Sequence, residues 1–179
     1  VALSDLAVTN TSGDLLKNIK ALNIDHLKLL NVTELPAITS KPANLKKLTI
    51  QSPTISEVSK LLLPTVTELN VRSRNLRVDY QLTNVTHLKL EFDNFSNDDW
   101  MKFLPNVESL KIVQYSNSTK AFQAIDLDVK ELKQLKHLEV CDKFIWLVMG
   151  GMKSLFLTNV RLKSPLFLSS NNKIEYLRI

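Results

Sequence analysis

One apolar pattern recurs nine times along the chain and constrains its fold more than any other feature. It reads apolar, two residues, apolar, one residue, apolar. The copies are Leu3-Leu6-Val8, Ile24-Leu27-Leu29, Leu45-Leu48-Ile50, Val66-Leu69-Val71, Val85-Leu88-Leu90, Val107-Leu110-Ile112, Leu135-Leu138-Val140, Met152-Leu155-Leu157 and Ile174-Leu177-Ile179. Their central residues lie at 6, 27, 48, 69, 88, 110, 138, 155 and 177, so successive gaps are 21, 21, 21, 19, 22, 28, 17 and 22. Unrelated amphipathic strands of a mixed fold do not account for three consecutive gaps of 21. Leu63-Pro64-Thr65-Val66 and Leu104-Pro105-Asn106-Val107 also open the fourth and sixth units alike.

The last two apolar residues of each copy stand two apart, the period that puts side chains on one face of a strand. Each unit therefore predicts one short strand followed by a return segment. Helical apolar spacing predicts short helices over 13–22, 55–63 and 98–104, with Pro64 and Pro105 stopping the last two and the acidic pair Asp98-Asp99 starting the third. The return over 35–44, with Pro36 and Pro42, reads as irregular, and the gap of 28 places an insertion around 115–124, expected as a surface loop.

Composition narrows the function. Of 179 residues, 44% are hydrophobic and 23% charged, as in a folded domain. The only glycines are Gly13, Gly150 and Gly151, which argues against glycine-rich phosphate loops. Cys141 is the sole cysteine, so neither an internal disulfide nor a cysteine zinc site forms, and a reducing compartment is expected. The net charge of +5 (23 basic less 18 acidic) is spread without a dense run, so nucleic acid is not the expected partner. No apolar run of 18 residues is present and residues 1–10 do not read as a signal peptide.

On these nine motifs the chain resembles the leucine-rich repeat superfamily over nearly its whole length. The resemblance implies an α/β solenoid: about nine parallel strands on a concave sheet, with short helices or irregular turns on the convex side. Residues 1–179 are then expected to be one repeat domain belonging to a longer chain. The family's usual ladder Asn lies three residues after the last strand Leu. Here a polar residue falls two after it, at Asn10, Asn31, Ser52, Ser73, Gln114, Asp142 and Asn159, with Phe92 as the exception. Whether these side chains bond strand carbonyls is left open by the sequence.

Stacked strands about 4.8 Å apart make nine into a face on the order of 40 Å long. Its outward positions form three rows. The first reads Asp5, His26, Lys47, Glu68, His87, Ser109, His137, Ser154 and Tyr176; the second Ala7, Lys28, Thr49, Asn70, Lys89, Lys111, Glu139, Phe156 and Arg178. The third reads Thr9, Leu30, Gln51, Arg72, Glu91, Val113, Cys141 and Thr158. Six basic side chains against four acidic ones suit a protein partner better than a phosphate backbone. The expected partner-binding residues are His26, Lys28, Arg72, His87, Lys89, Lys111, His137, Phe156, Tyr176 and Arg178, the last three gathered at one end with the chemistry of interface anchors.

No catalytic residue, cofactor, metal or small-molecule substrate is expected. His26 and His87 fall three strands apart, roughly 14 Å, too far to share a zinc. Cys141 shares a strand with His137, but no third partner completes a nucleophilic set.

The short, uneven, cysteine-poor repeats resemble those of F-box proteins, particularly fungal ones. That implies an intracellular adaptor, in cytoplasm or nucleus, whose repeats hold a protein substrate or partner. The alternative is a secreted or cell-surface recognition domain like the irregular repeats of Toll-like receptors. It draws on five Asn-x-Ser/Thr sequons at Asn10, Asn31, Asn84, Asn94 and Asn117, of which the first two already have a structural explanation. A pathogen-derived or orphan repeat protein is a third reading.

Overall fold

The computed structural model describes residues 3–9, 23–33, 44–55, 64–95, 99–115, 125–141, 144–148, 151–158, 160–162 and 174–179. Twelve strands run in chain order: β1 (Leu3–Thr9), β2 (Ile24–Leu30), β3 (Lys47–Gln51), β4 (Glu68–Leu76), β5 (His87–Phe95), β6 (Ser109–Gln114), β7 (Ile125–Asp128), β8 (His137–Cys141), β9 (Phe144–Val148), β10 (Ser154–Thr158), β11 (Arg161–Leu162) and β12 (Tyr176–Arg178). Nine make one sheet in the order β1-β2-β3-β4-β5-β6-β8-β10-β12, every pair parallel. One strand per repeat, each beside its sequence neighbour in the repeat series, makes the chain a solenoid.

The register follows the nine motifs. Leu6, Leu27, Leu48, Leu69, Leu88, Leu110, Leu138, Leu155 and Leu177 are Cα partners across successive strands. From Leu27 to Leu155 this column is buried, and so are Ile24, Leu45, Val66, Val85, Val107, Leu135 and Met152, the residues that open each motif. A slip of one residue would turn every strand leucine to solvent, so burial alone holds the alignment. Backbone bonding repeats with it. The carbonyl of Thr67 accepts from the amides of Thr86 and His87, and those of Lys46, Thr86, Glu108, Lys136 and Lys153 accept from two amides of the next coil in the same way.

The polar residues closing the strands complete the stack. Ser52 Oγ donates to the carbonyl of Val32 at 2.5 Å, Ser73 Oγ to that of Ile55, and Gln114 Nε2 to that of Asp93 at 2.7 Å. Each reaches back one coil and gives a main-chain carbonyl there a side-chain donor. Asn31 does not join them: it is exposed, with φ of 53°, a left-handed conformation that asparagine tolerates. Phe92, in register with Ser73 and Gln114, replaces the polar side chain by an aromatic one. It is buried against Phe95, which packs edge-on against buried Trp100, both ring pairs having centroids 5.0 Å apart.

The return segments differ from expectation. The helix expected over 98–104 is a 3-10 turn, Trp100–Phe103, and Asp99 makes no capping bond to it. A second 3-10 turn, Val129–Glu131, is capped by the Asp128 side chain accepting from the Lys130 amide. No α-helix occurs among the described residues. The helix expected over 13–22 lies outside them, as does that over 55–63 beyond Ile55 itself, the irregular return over 35–44 except Asn44, and the insertion beyond Tyr115.

A second parallel sheet, ordered β11-β9-β7, has no counterpart in the expected architecture. Its strands follow β6, β8 and β10 in the chain, so the returns of three successive coils pair with one another. The apolar run Phe144-Ile145-Trp146-Leu147-Val148 is the sequence signal for it.

Candidate functional site

The outward rows are aligned as the motif spacing places them. Asp5, His26, Lys47, Glu68, His87, Ser109, His137, Ser154 and Tyr176 are partners from β1 to β12, and the rows starting at Ala7 and Thr9 follow in parallel. All ten expected binding residues therefore lie on one face of one sheet. Their environments differ along the sheet.

From β1 to β8 the acidic side chains of the face meet basic or imidazole partners. Asp5 contacts His26 Nδ1 at 2.7 Å and Lys28 Nζ at 3.7 Å. Lys47 pairs with Glu68 at 2.5 Å and Lys111 with Glu139 at 2.7 Å. Glu91 is the hub: it is 9% exposed, pairs with Lys89, lies 3.8 Å from Arg72 and accepts from Tyr115 Oη at 3.0 Å. Burial pushes the Glu91 carboxyl upward, but the hydrogen bonds from Lys89 and Tyr115 and the charges of Lys89 and Arg72 outweigh it and hold it below the usual carboxylate range. For Glu68, burial likewise acts upward and the Lys47 contact reverses the shift. All four acidic side chains of the face are thus paired with basic ones and the small positive excess remains, although exposed pairs are individually weak and partly screened.

The three histidines share a row without meeting. His26 Nε2 contacts Thr49 Oγ1 at 2.9 Å, His87 contacts the neighbouring Thr86 hydroxyl at 3.0 Å and His137 contacts Ser154 Oγ at 2.6 Å. Burial lowers the His26 pKa, the Asp5 contact opposes this, and Lys28 and Lys47 add to it. Cys141 lies 3.7 Å from a Glu139 carboxylate oxygen.

On β10 and β12 the outward side chains include exposed aromatics. Phe156 is 36% exposed and Tyr176 65%, while Arg178, beside Phe156 in register, has no carboxylate partner among the described residues. An aromatic pair next to an uncommitted guanidinium is the composition of an interface anchor.

A cleft of about 390 Å³ lies past the end of β3 and along the C-terminal halves of β4 and β5, bounded by Gln51, Pro53, Arg72, Arg74, Asp93 and Tyr115. The Arg72 guanidinium sits over the Tyr115 ring, 4.7 Å from its centroid. Sequence reasoning ended its outward rows at Arg72 and missed Arg74, because nothing in the motif marks β4 as continuing to Leu76.

No family model, curated protein or solved structure matches the chain. Among the described residues no helix is long and apolar enough to cross a membrane.

Proposed function

We propose that this chain is a non-catalytic protein–protein interaction scaffold of the leucine-rich repeat type, which engages its partner through the outward rows of the nine-stranded sheet. The observation that carries this reading is the outward face itself: three in-register rows of polar, charged and aromatic side chains, with Phe156 exposed among them, run across one parallel sheet. A face whose charges are largely paired directs binding energy to a few exposed anchors, the usual distribution in protein interfaces. The mixed charge of the remaining rows supplies register and selectivity rather than affinity. Short, uneven, cysteine-poor repeats favour an intracellular adaptor of the F-box type as the setting, with the repeats presenting a partner to machinery carried elsewhere.

The test is site-specific photo-crosslinking in native extract. A photoreactive residue at Tyr176 or Lys111 captures a partner, whereas one at exposed Glu131 on the return side does not. Capture from Glu131 alone overturns the proposal.

The secreted reading keeps one supporting observation. The sequon residues Asn31, Asn84 and Asn94 are all exposed, with Asn84 in a turn. Intact mass of the protein from its native source decides between the two settings, since glycans on these residues exclude the cytosolic adaptor.

A further inference from the structure

We propose that the cleft past the end of β3, along the C-terminal halves of β4 and β5, is a carboxylate-binding site, which takes an acidic side chain of a protein partner between Arg72 and Arg74. The partner as source rests on the scaffold reading; the affinity for carboxylate does not.

The cleft, at about 390 Å³, has room for a side chain and the peptide on either side of it. Two of its bounding residues are arginines and one, Asp93, is acidic, so its lining carries a net positive charge. Arg74 is exposed and no carboxylate pairs with it among the described residues. It therefore differs from Lys47, Lys89 and Lys111, whose charges are answered within the face.

Arg72 is engaged more loosely than those lysines. Its Nε lies 3.8 Å from Glu91, beyond hydrogen-bond reach, and Glu91 is already satisfied by Lys89 and by Tyr115. The Tyr115 ring beneath Arg72 positions the guanidinium without using its donors, since the contact is with the π-face. Fixing the plane before binding reduces the entropy lost when a carboxylate docks against a guanidinium edge. Ser52 and Ser73, also at the cleft, spend their hydroxyls on the carbonyls of Val32 and Ile55 and do not compete for the ligand. Arg72 belongs both to the third outward row and to the cleft, so a partner lying across the rows reaches it with one acidic side chain.

The test is a calorimetric titration of the full chain with an N-acetylated, C-amidated tetraglutamate peptide, against the matching tetraglutamine peptide and inorganic phosphate. Tetraglutamate binds and tetraglutamine does not. Arg74→Ala weakens the binding about tenfold, while its melting temperature stays that of the parent. Asp93→Asn, which removes the one acidic residue of the lining, tightens it several-fold. Equal affinity for the two peptides, an unchanged Kd in Arg74→Ala, or weaker binding in Asp93→Asn overturns the site. Tighter binding of inorganic phosphate than of tetraglutamate overturns the carboxylate assignment in favour of phosphate. If tetraglutamate binds as described but crosslinking at Tyr176 and Lys111 captures nothing, the scaffold reading fails and the site stands.

Discussion

Ser52 Oγ donates to the carbonyl oxygen of Val32, 20 residues earlier, and so ties the end of one strand to the coil before it. The same tie recurs from Ser73 to Ile55 and from Gln114 to Asp93, which makes it part of the repeat rather than a local accident. Ser52 is 3% exposed, so neither end of its bond has water as an alternative.

Ser52→Ala is therefore expected to destabilise the fold by about 1–3 kcal/mol, because the Val32 carbonyl loses its main donor in the interior. Urea unfolding measures this, with Thr9→Ala on exposed β1 as the neutral control.

Phe92→Ser would make the polar ladder regular, yet it is expected to destabilise by about 3–5 kcal/mol, the cost of deleting a buried aromatic ring. The Phe92–Phe95–Trp100 stack has no use for a hydroxyl at that position. A thermal melt equal to that of the parent would show that the aromatic stack does not support this part of the solenoid.

Two leucines of the same column separate burial from motif. Leu88 is 3% exposed and Leu177 45%. Leu88→Ala is expected to cost about 2–5 kcal/mol and Leu177→Ala under about 1 kcal/mol. Denaturant midpoints compare them directly, and equal costs would refute the assigned burial.

Stability is expected to fall as the pH drops below neutrality, in two stages. The folded His26 has a pKa below the ordinary value of about 6.5, so the unfolded chain takes up that proton first and stability declines from about pH 6.5 downward. Glu68 and Glu91 are held below the usual carboxylate range when folded. Their contribution is complete above about pH 4.5 and is lost as the pH falls through their folded values. His26→Gln keeps hydrogen-bonding capacity toward Asp5 and Thr49 but removes the titration, so it flattens the profile between pH 7 and 5. Melting temperatures across that range, read for both proteins, settle the sign.

The repeat and its register were legible in the chain itself. An apolar triplet at strand spacing, returning every 17 to 28 residues, has few ways to bury its leucines other than stacking them in parallel, and every in-register pair from Leu6 to Leu177 follows. The three outward rows were legible for the same reason, since alternation along a strand assigns both faces at once. Side-chain pairing was not. That Lys89, Arg72 and Tyr115 converge on Glu91, leaving Arg74 and Arg178 without carboxylate partners, depends on how neighbouring coils sit against each other, and no period encodes it. The return segments escaped for a different reason. A helical apolar spacing over 98–104 and the apolar run over 144–148 are both short, and short segments take the conformation their neighbours can bond. Beside β7 and β11 the second became a strand, and against the Phe92–Phe95 stack the first became a single 3-10 turn around Trp100. Local spacing specified which residues are buried; contacts between coils decided what the connecting backbone does and which charges remain free.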